Sequence, residues 1–324
     1  MPAIDVEQLK TTMAAIREGH VGTWRRTVLV EATERAARRR AVGELLRSSL
    51  AKAGVDVDRL DQMAAQQALE GRSATREEQA GAAKQIEAEE RAFSRAITGR
   101  RTAFEQLHRR AAAPPIILDK PFLMWETPRL ETAFVGSHNE SMNSSIRISI
   151  DTNRGSDLTS FTFYFLWENE SDFFAVTNVR SSLVLAGGIG VGAGTGIFSG
   201  DEVQLYMNAG LGILEWWNQP PTAPMSQQSQ SQNIVTWDVS AGGVFGHPHS
   251  KFQTFAFTPF DLSYSAFAVP PKGVALFEVT LTIQYVFTRG GGDINDFVRI
   301  NFADGTNRAI CPFVELDLLT APPA

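Results

Sequence analysis

Apolar residues recur along this chain with two different periods, and the change falls at Ala112-Ala113-Pro114-Pro115. Before it the spacing is three to four residues, the mark of a helix face; after it apolar and polar positions alternate, the mark of strands. Val6, Leu9, Met13 and Ile16 open the first helix, from about Asp5. Gly19 and Gly22, each costing about 1 kcal/mol relative to Ala in a helix interior, predict a bend or short break. A second stretch, Thr23 to Lys52, carries Trp24, Val28, Val42, Leu45, Leu46 and Leu50 as its apolar set. Gly54-Val55-Asp56 predicts a break. Asp58 then predicts the N-cap of a short helix bearing Leu60 and Met63. Thr75-Arg76-Glu77-Glu78 has the form of a capping box and predicts the start of a long helix reaching Ala112.

On that helix Ile86, Glu90, Phe93, Ile97, Arg100, Phe104 and Leu107 fall at alternating spacings of four and three. This is a heptad seam with two charged members. A rod of about 55 Å, at 1.5 Å per residue, needs cover along its apolar side. The predicted cover is the first long helix, folded back as a hairpin, or further copies of the chain. Ile86, Phe93, Ile97, Phe104 and Leu107 are the predicted assembly seam.

Beyond Pro115 the alternation is clear. Ile146, Ile148 and Ile150 share one face, as do Phe161, Phe163, Phe165 and Trp167, with Thr162 and Tyr164 opposite. Val274 to Phe287 predicts one long strand with a dry face and a wet face, the latter carrying Glu278, Thr280, Thr282 and Gln284. About ten strands and no helix are predicted here. The expected fold is therefore segregated α+β. Residues 1–113 form a long-helix hairpin or bundle, coiled-coil-like, and residues 114–324 an antiparallel β-sandwich, jelly-roll-like.

Two stretches break the pattern. Asn218 to Asn233 has no charge and one large apolar residue, Met225, and predicts an exposed flexible loop. Ser181 to Gly200 also has no charge, and Gly188, Gly190, Gly192, Gly194 and Gly196 occupy alternate positions. As a strand this stretch has one face without side chains, open to close approach. The approaching group is expected to be an internal neighbour, Trp216, Trp217 or a helix; a partner chain or a membrane-inserting hairpin is the sharper alternative.

Charge divides at the same boundary as pattern. Residues 1–113 carry 20 Lys/Arg against 16 Asp/Glu, and residues 114–324 carry 10 against 20. A basic half and an acidic half predict attraction between copies, or an anionic partner for the helices, beside the plainer reading of solvated helix faces. The overall charge of −6 gives no reason to expect nucleic acid.

Candidate chemistry is sparse. Gly188 to Ala193 matches a relaxed dinucleotide fingerprint, yet no helix follows to meet a pyrophosphate. Asp151, Asn153 and Asp157 stand at calcium-loop spacing, but Gly155 and Thr162 replace two ligands, which leaves an ordinary turn. His247 and His249 have no nearby Cys or acidic cluster to complete a metal site, His20 and His108 read as surface or seam residues on helices, and His138 reads as part of a polar turn. Cys311, the single cysteine, reads as a buried, inert thiol and excludes an internal disulfide. Catalytic residues, cofactors and metal ligands are accordingly expected to be none.

The sequence-level function is a non-catalytic, oligomerising structural or binding protein, with homo-oligomers and another protein, a glycan or a membrane surface as partners. The second reading is a pore-forming or membrane-active toxin using residues 181–200 and the amphipathic helices. The third is a carbohydrate-binding module using Trp216 and Trp217 as an aromatic platform. The N-terminus shows no Sec-type signal, which predicts cytoplasmic synthesis, with signal-independent release as the other route.

Overall fold

The structure, a computed structural model, describes residues 5–108, 115–127, 134–139, 144–153, 155–194, 201–216, 224, 226–240, 249–288 and 296–319. Two helices come first, α1 (Val6–Lys52) and α2 (Val57–His108). The Asp5 carboxylate caps α1, accepting the Gln8 N–H at 3.0 Å. α1 runs through Gly19 and Gly22 without a break. It ends where Val55 N–H reaches Leu50 O and Gly54 N–H reaches Ala51 O, with Gly54 at φ +79°. That paired reversal needs a left-handed residue, which glycine supplies without a Cβ clash.

Asp56 rather than Asp58 caps α2, accepting the Arg59 N–H at 3.0 Å. α2 then passes unbroken through Gly71 and Thr75, so the predicted short helix and capping box do not form separate elements. The physical reason is cooperative. Ending one helix and starting another orphans four C=O and four N–H groups, and a local side-chain cap satisfies only one or two of them.

Thirteen strands among the described residues form two antiparallel sheets. The first contains β1 (Ile116–Leu118), β3 (Phe134–Asn139), β4 (Ser145–Thr152), β6 (Ala175–Ala193), β9 (His249–Val269), β11 (Phe297–Phe302), β12 (Arg308–Ile310) and β13 (Val314–Leu318). The second has the order β2 (Leu123–Glu126), β5 (Ser156–Glu168), β10 (Val274–Thr288), β7 (Glu202–Trp216) and β8 (Ser226–Ser240). β6 is the backbone of the first sheet. One edge pairs with β9; the other pairs in succession with β13, β12 and β11.

β8 corrects the reading of residues 218–233 as one loop: Ser226 to Asn233 pair with Glu215 to Asn208 of β7. Its polar first half pairs through the backbone, and Val235 and Val239 of its second half are buried in the core. Residues 218–223 lie outside the described residues.

Between the sheets lie Phe161, Phe163 and Phe165 of β5, Leu205 and Leu211 of β7, and Phe277, Val279, Leu281 and Ile283 of β10. Ile146, Ile148 and Ile150 of β4, Ile189 and Val191 of β6 and Phe302 of β11 face them. The outer sides of both sheets also carry apolar clusters, and the helices pack on these. Leu9, Met13 and Val21 of α1 pack with Tyr164, Leu214, Trp216 and Leu276 on the second sheet. Ile86 and Phe93 of α2 pack with Val184, Ala186, Phe257 and Ile310 on the first.

The molecule is thus layered helix, sheet, sheet, helix. This corrects the expectation of a coiled-coil-like hairpin. The helices face opposite sheets and approach each other near their turn, where Arg47 pairs with Asp58 at 3.1 Å and Asp61 at 2.9 Å. It also corrects the predicted wet face of β10: Glu278 and Thr280 are buried, with α1 packed on the outer side of this sheet.

Leu9 is fully buried, so Leu9→Ala is expected to cost about 2–5 kcal/mol. Because the helix is part of the sandwich, that loss should appear in the unfolding of the sheets. Denaturant melts followed by tryptophan fluorescence and by far-ultraviolet circular dichroism should shift together; an unmoved sheet transition would mean that α1 is an independent element.

Candidate functional site

The seam residues of α2 come together as a docking row on the first sheet. Ile86 is 1% exposed. Phe93 stacks on Phe257 with ring centroids 4.7 Å apart, and Phe104 meets Phe313 edge-on at 5.7 Å. Ile97 is half-buried in the same row. Leu107 lies outside the residues whose side chains are described. The two charged seam members find partners on the sandwich: Glu90 pairs with Arg308 at 3.0 Å, and Arg100 with Glu315 at 3.3 Å. Arg100 also lies over the Phe313 ring, 4.7 Å from its centroid. Charges in a heptad seam weaken a helix pair, but on this surface each one meets its complement.

Phe257 is the anchor of that row, and its backbone is unusual. Its φ is +53°, at a register shift between β6 and β9 that falls between Leu185 and Gly187. A bulky residue in the left-handed region costs of order 1–3 kcal/mol. The bulge turns the ring outward to α2 while Phe255 stays in the inter-sheet core.

α1 is held by three arginines. Arg17 pairs with Glu278 at 2.7 Å, Arg25 with Asp157 at 3.0 Å, and Arg39 with Glu202 in a short contact. In the first pair the carboxylate is buried, and Arg17 Nε also donates to the Tyr164 hydroxyl at 3.4 Å. Burial pushes the Tyr164 phenol well above its ordinary range, and the Glu278 charge adds to this while Arg17 opposes it. Burial alone lowers the Arg17 pKa, but Glu278 and then Tyr164 outweigh it and the net movement is upward. The result is a charged arginine, its carboxylate partner and a neutral phenol. That is a latch rather than a proton-transfer site, because the phenol is held far from ionisation.

Gly212 makes room for the latch: a Cβ there would lie 2.7 Å from Glu278 Oε2. Behind it a hydroxyl ladder crosses the sheet, Thr162 to Thr280 at 3.0 Å and Ser160 to Thr282 at 3.3 Å. Farther along α1, a crevice of about 360 Å³ opens between Leu29, Ala32, Ala36 and Arg40 on the helix and Ser156 and Phe287 on the sheet. Its walls are small and apolar, with one guanidinium nearby.

The other sequence-predicted residues fall as follows. Gly188, Gly190 and Gly192 lie in mid-sheet on β6, bonded on one side to β11 and on the other to β9. The side chain that approaches Gly192 is that of Phe297: a Cβ there would sit 2.3 Å from its ring. With both edges paired, this part of the stretch is no free hairpin. Gly194 follows the strand, and its N–H donates to Asp296 at 2.8 Å. Gly196 and Trp217 lie outside the described residues. Trp216 is 1% exposed and sits beneath α1, so it forms no surface platform.

Asp151 and Asp157, read as calcium-loop positions, are engaged by Arg299 and Arg25 at 3.0 Å each. No cluster of three acidic, histidine or cysteine side chains that could hold a metal occurs among the described residues. Cys311 is fully buried, and burial pushes its thiol up to about 12. No helix among the described residues is long and apolar enough to cross a membrane.

Sequence reasoning missed Arg17, Tyr164, Glu278 and Phe257. Two signals were present. Arg17 occupies the i+4 series Leu9, Met13, Arg17, Val21, and Phe252, Phe255, Phe257 and Phe260 break a period of two.

No family model and no curated protein matches the sequence. Among solved structures the chain is similar to TmCBM61 in complex with β-1,4-galactotriose. The TM-score is 0.21 at 9% identity, over 61% of this chain and 91% of that one. It is also similar to the Clostridium thermocellum N-terminal endo-1,4-β-D-xylanase 10B CBM22-1–GH10 modules complexed with xylohexaose. There the TM-score is 0.20 at 10% identity, over 65% of this chain and 29% of that one. At such scores the likeness carries no argument about ligand.

Two outcomes are expected for the latch. Glu278→Gln leaves Arg17 without its counter-charge and should cost about 2–4 kcal/mol in denaturant melts; a loss under about 0.5 kcal/mol would show that the pair does not hold α1. The raised Tyr164 pKa makes stability pH-dependent. Below about 10 the phenol is protonated in both states; above it the unfolded chain loses the proton first, so stability falls as pH rises. Melts between about pH 8 and pH 11 should show that fall, reduced in Tyr164→Phe. Equal falls in the two proteins would remove the phenol as its source.

Proposed function

We propose that this protein is a non-catalytic assembly and binding protein, whose helices bring copies of the chain together around a sandwich body. One observation carries this reading. Large apolar side chains remain in solvent on the helices after both sheets have been covered: Val30 is 59% exposed, Val42 56%, Leu45 71%, Met63 54% and Leu69 57%. Isolated exposed apolar residues are ordinary, but a run of them along one pair of joined elements marks a contact surface.

The arginine latches support the same reading from the other side. They fix α1 to the sandwich at Arg17, Arg25 and Arg39, and α2 at Glu90 and Arg100. The body then serves as what the assembly presents. The carbohydrate-module reading loses the described half of its platform with Trp216 buried beneath α1.

Sedimentation equilibrium between about 1 and 50 μM is expected to give a mass that is a multiple of the 35.5 kDa chain and that depends on concentration. A constant monomer mass across that range would overturn the assembly reading.

A further inference from the structure

The crevice between α1 and the second sheet lies between two fixed points. Along α1, Arg25 holds Asp157 before the crevice begins at Leu29, and Arg39 holds Glu202 where it ends. Between those ion pairs the helix presents Ala32 and Ala36, side chains too short to close the space. The ring of Phe287 forms the wall on the sheet side. What remains is a slot of about 360 Å³. Small-molecule sites run from roughly 300 to 1,000 Å³, so this one has room for a single slender molecule.

The two ends of the slot differ in chemistry. Leu29 stands at one and Arg40 at the other, separated by about 16 Å of helix at 1.5 Å per residue. The hydroxyls between them are turned to the backbone. Thr33 donates to Leu29 O at 2.7 Å, and Ser156 Oγ accepts the Phe287 N–H at 3.0 Å. Arg40 is exposed and, unlike Arg25 and Arg39, engages no carboxylate among the described residues, Glu44 one turn on included. Among the described residues no acidic side chain lines the slot. Asp157 and Glu202, just outside it, are each held by an arginine.

We propose that this crevice binds a single-chain alkyl carboxylate. The carboxylate meets the Arg40 guanidinium, whose planar fork of N–H donors matches it in shape and charge. The hydrocarbon lies along Ala36, Ala32 and Leu29 against Phe287, in the space those short side chains leave. The same chemistry selects against other occupants. A glycan needs several polar partners for its hydroxyls, and these walls are mostly apolar. A metal cation needs oxygen ligands with negative charge, and the slot offers a guanidinium instead. A two-chain lipid exceeds the volume. This site goes beyond the assembly reading and does not depend on it, because the crevice is built within one chain.

The test is isothermal titration calorimetry of the full chain with decanoate, decanol and butanoate. Decanoate should bind at one site per chain, and butanoate, with six fewer methylenes to bury, at least about 100-fold more weakly. Arg40→Gln, at an exposed position the fold tolerates, should weaken decanoate about 5- to 10-fold and leave decanol unchanged. Ala36→Phe fills the slot and should abolish binding of both, with circular dichroism unchanged. Should Ala36→Phe unfold the chain, Thr33→Trp at the exposed rim serves the same purpose. No heat from decanoate up to about 1 mM would overturn the proposal. So would decanoate binding that survives in the filled variant, or an Arg40→Gln variant that binds decanoate as the wild type does. None of these results bears on the oligomer mass, which tests the assembly reading separately.

Discussion

Each sheet of the sandwich carries large apolar side chains on both of its sides, and covering those on the outer sides is the constraint from which the architecture follows. A two-layer sandwich hides one side of each sheet and leaves the other in water. Here the outer sides carry Tyr164, Leu214, Trp216 and Leu276 on one sheet and Val184, Ala186, Phe257 and Ile310 on the other. Burying a side chain of this size is worth roughly 1.5–3 kcal/mol. One helix per side supplies the cover, so the helices lie apart, and a coiled coil between them would leave both sheets bare.

Ion pairing then decides where along each sheet a helix sits. Hydrophobic cover is non-directional, and a helix sliding by a turn on an apolar surface loses little. Arg17 with Glu278, Arg25 with Asp157 and Arg39 with Glu202 remove that freedom for α1. Glu90 with Arg308 and Arg100 with Glu315 do the same for α2. The opposite charges of the two halves of the sequence are thereby partly spent within one molecule.

Much of this was legible in the sequence, and the losses have physical causes. The boundary near Pro115, the helical content before it and the long strand at Val274 follow from period and composition, which are local properties. Ile86, Phe93 and Phe104 of the α2 seam lie against the first sheet, a partner the heptad spacing did not name. A heptad pattern reports that one side of a helix is covered and says nothing about whether a helix or a sheet covers it. Residues such as Glu278 and Tyr164 look like the wet side of strands because alternation with Phe163 and Val279 is all that local sequence shows. Only tertiary contact reveals that the second side is dry. Gly192 illustrates the reverse case: the missing side chain was visible, and the ring that fills its place, Phe297, lies more than 100 positions away.

That distance along the chain has a further consequence for how the protein is made. Arg17 and Glu278 are 261 positions apart, and Arg100 and Glu315 are 215 apart. At about 5–20 residues per second, ribosomal synthesis leaves each helix waiting roughly ten seconds to a minute for the strand that will receive it. Through that interval Leu9, Met13, Ile86 and Phe93 have no sheet to lie on. A nascent chain of this design presents the apolar stripes of its helices before the strands that will cover them have been made.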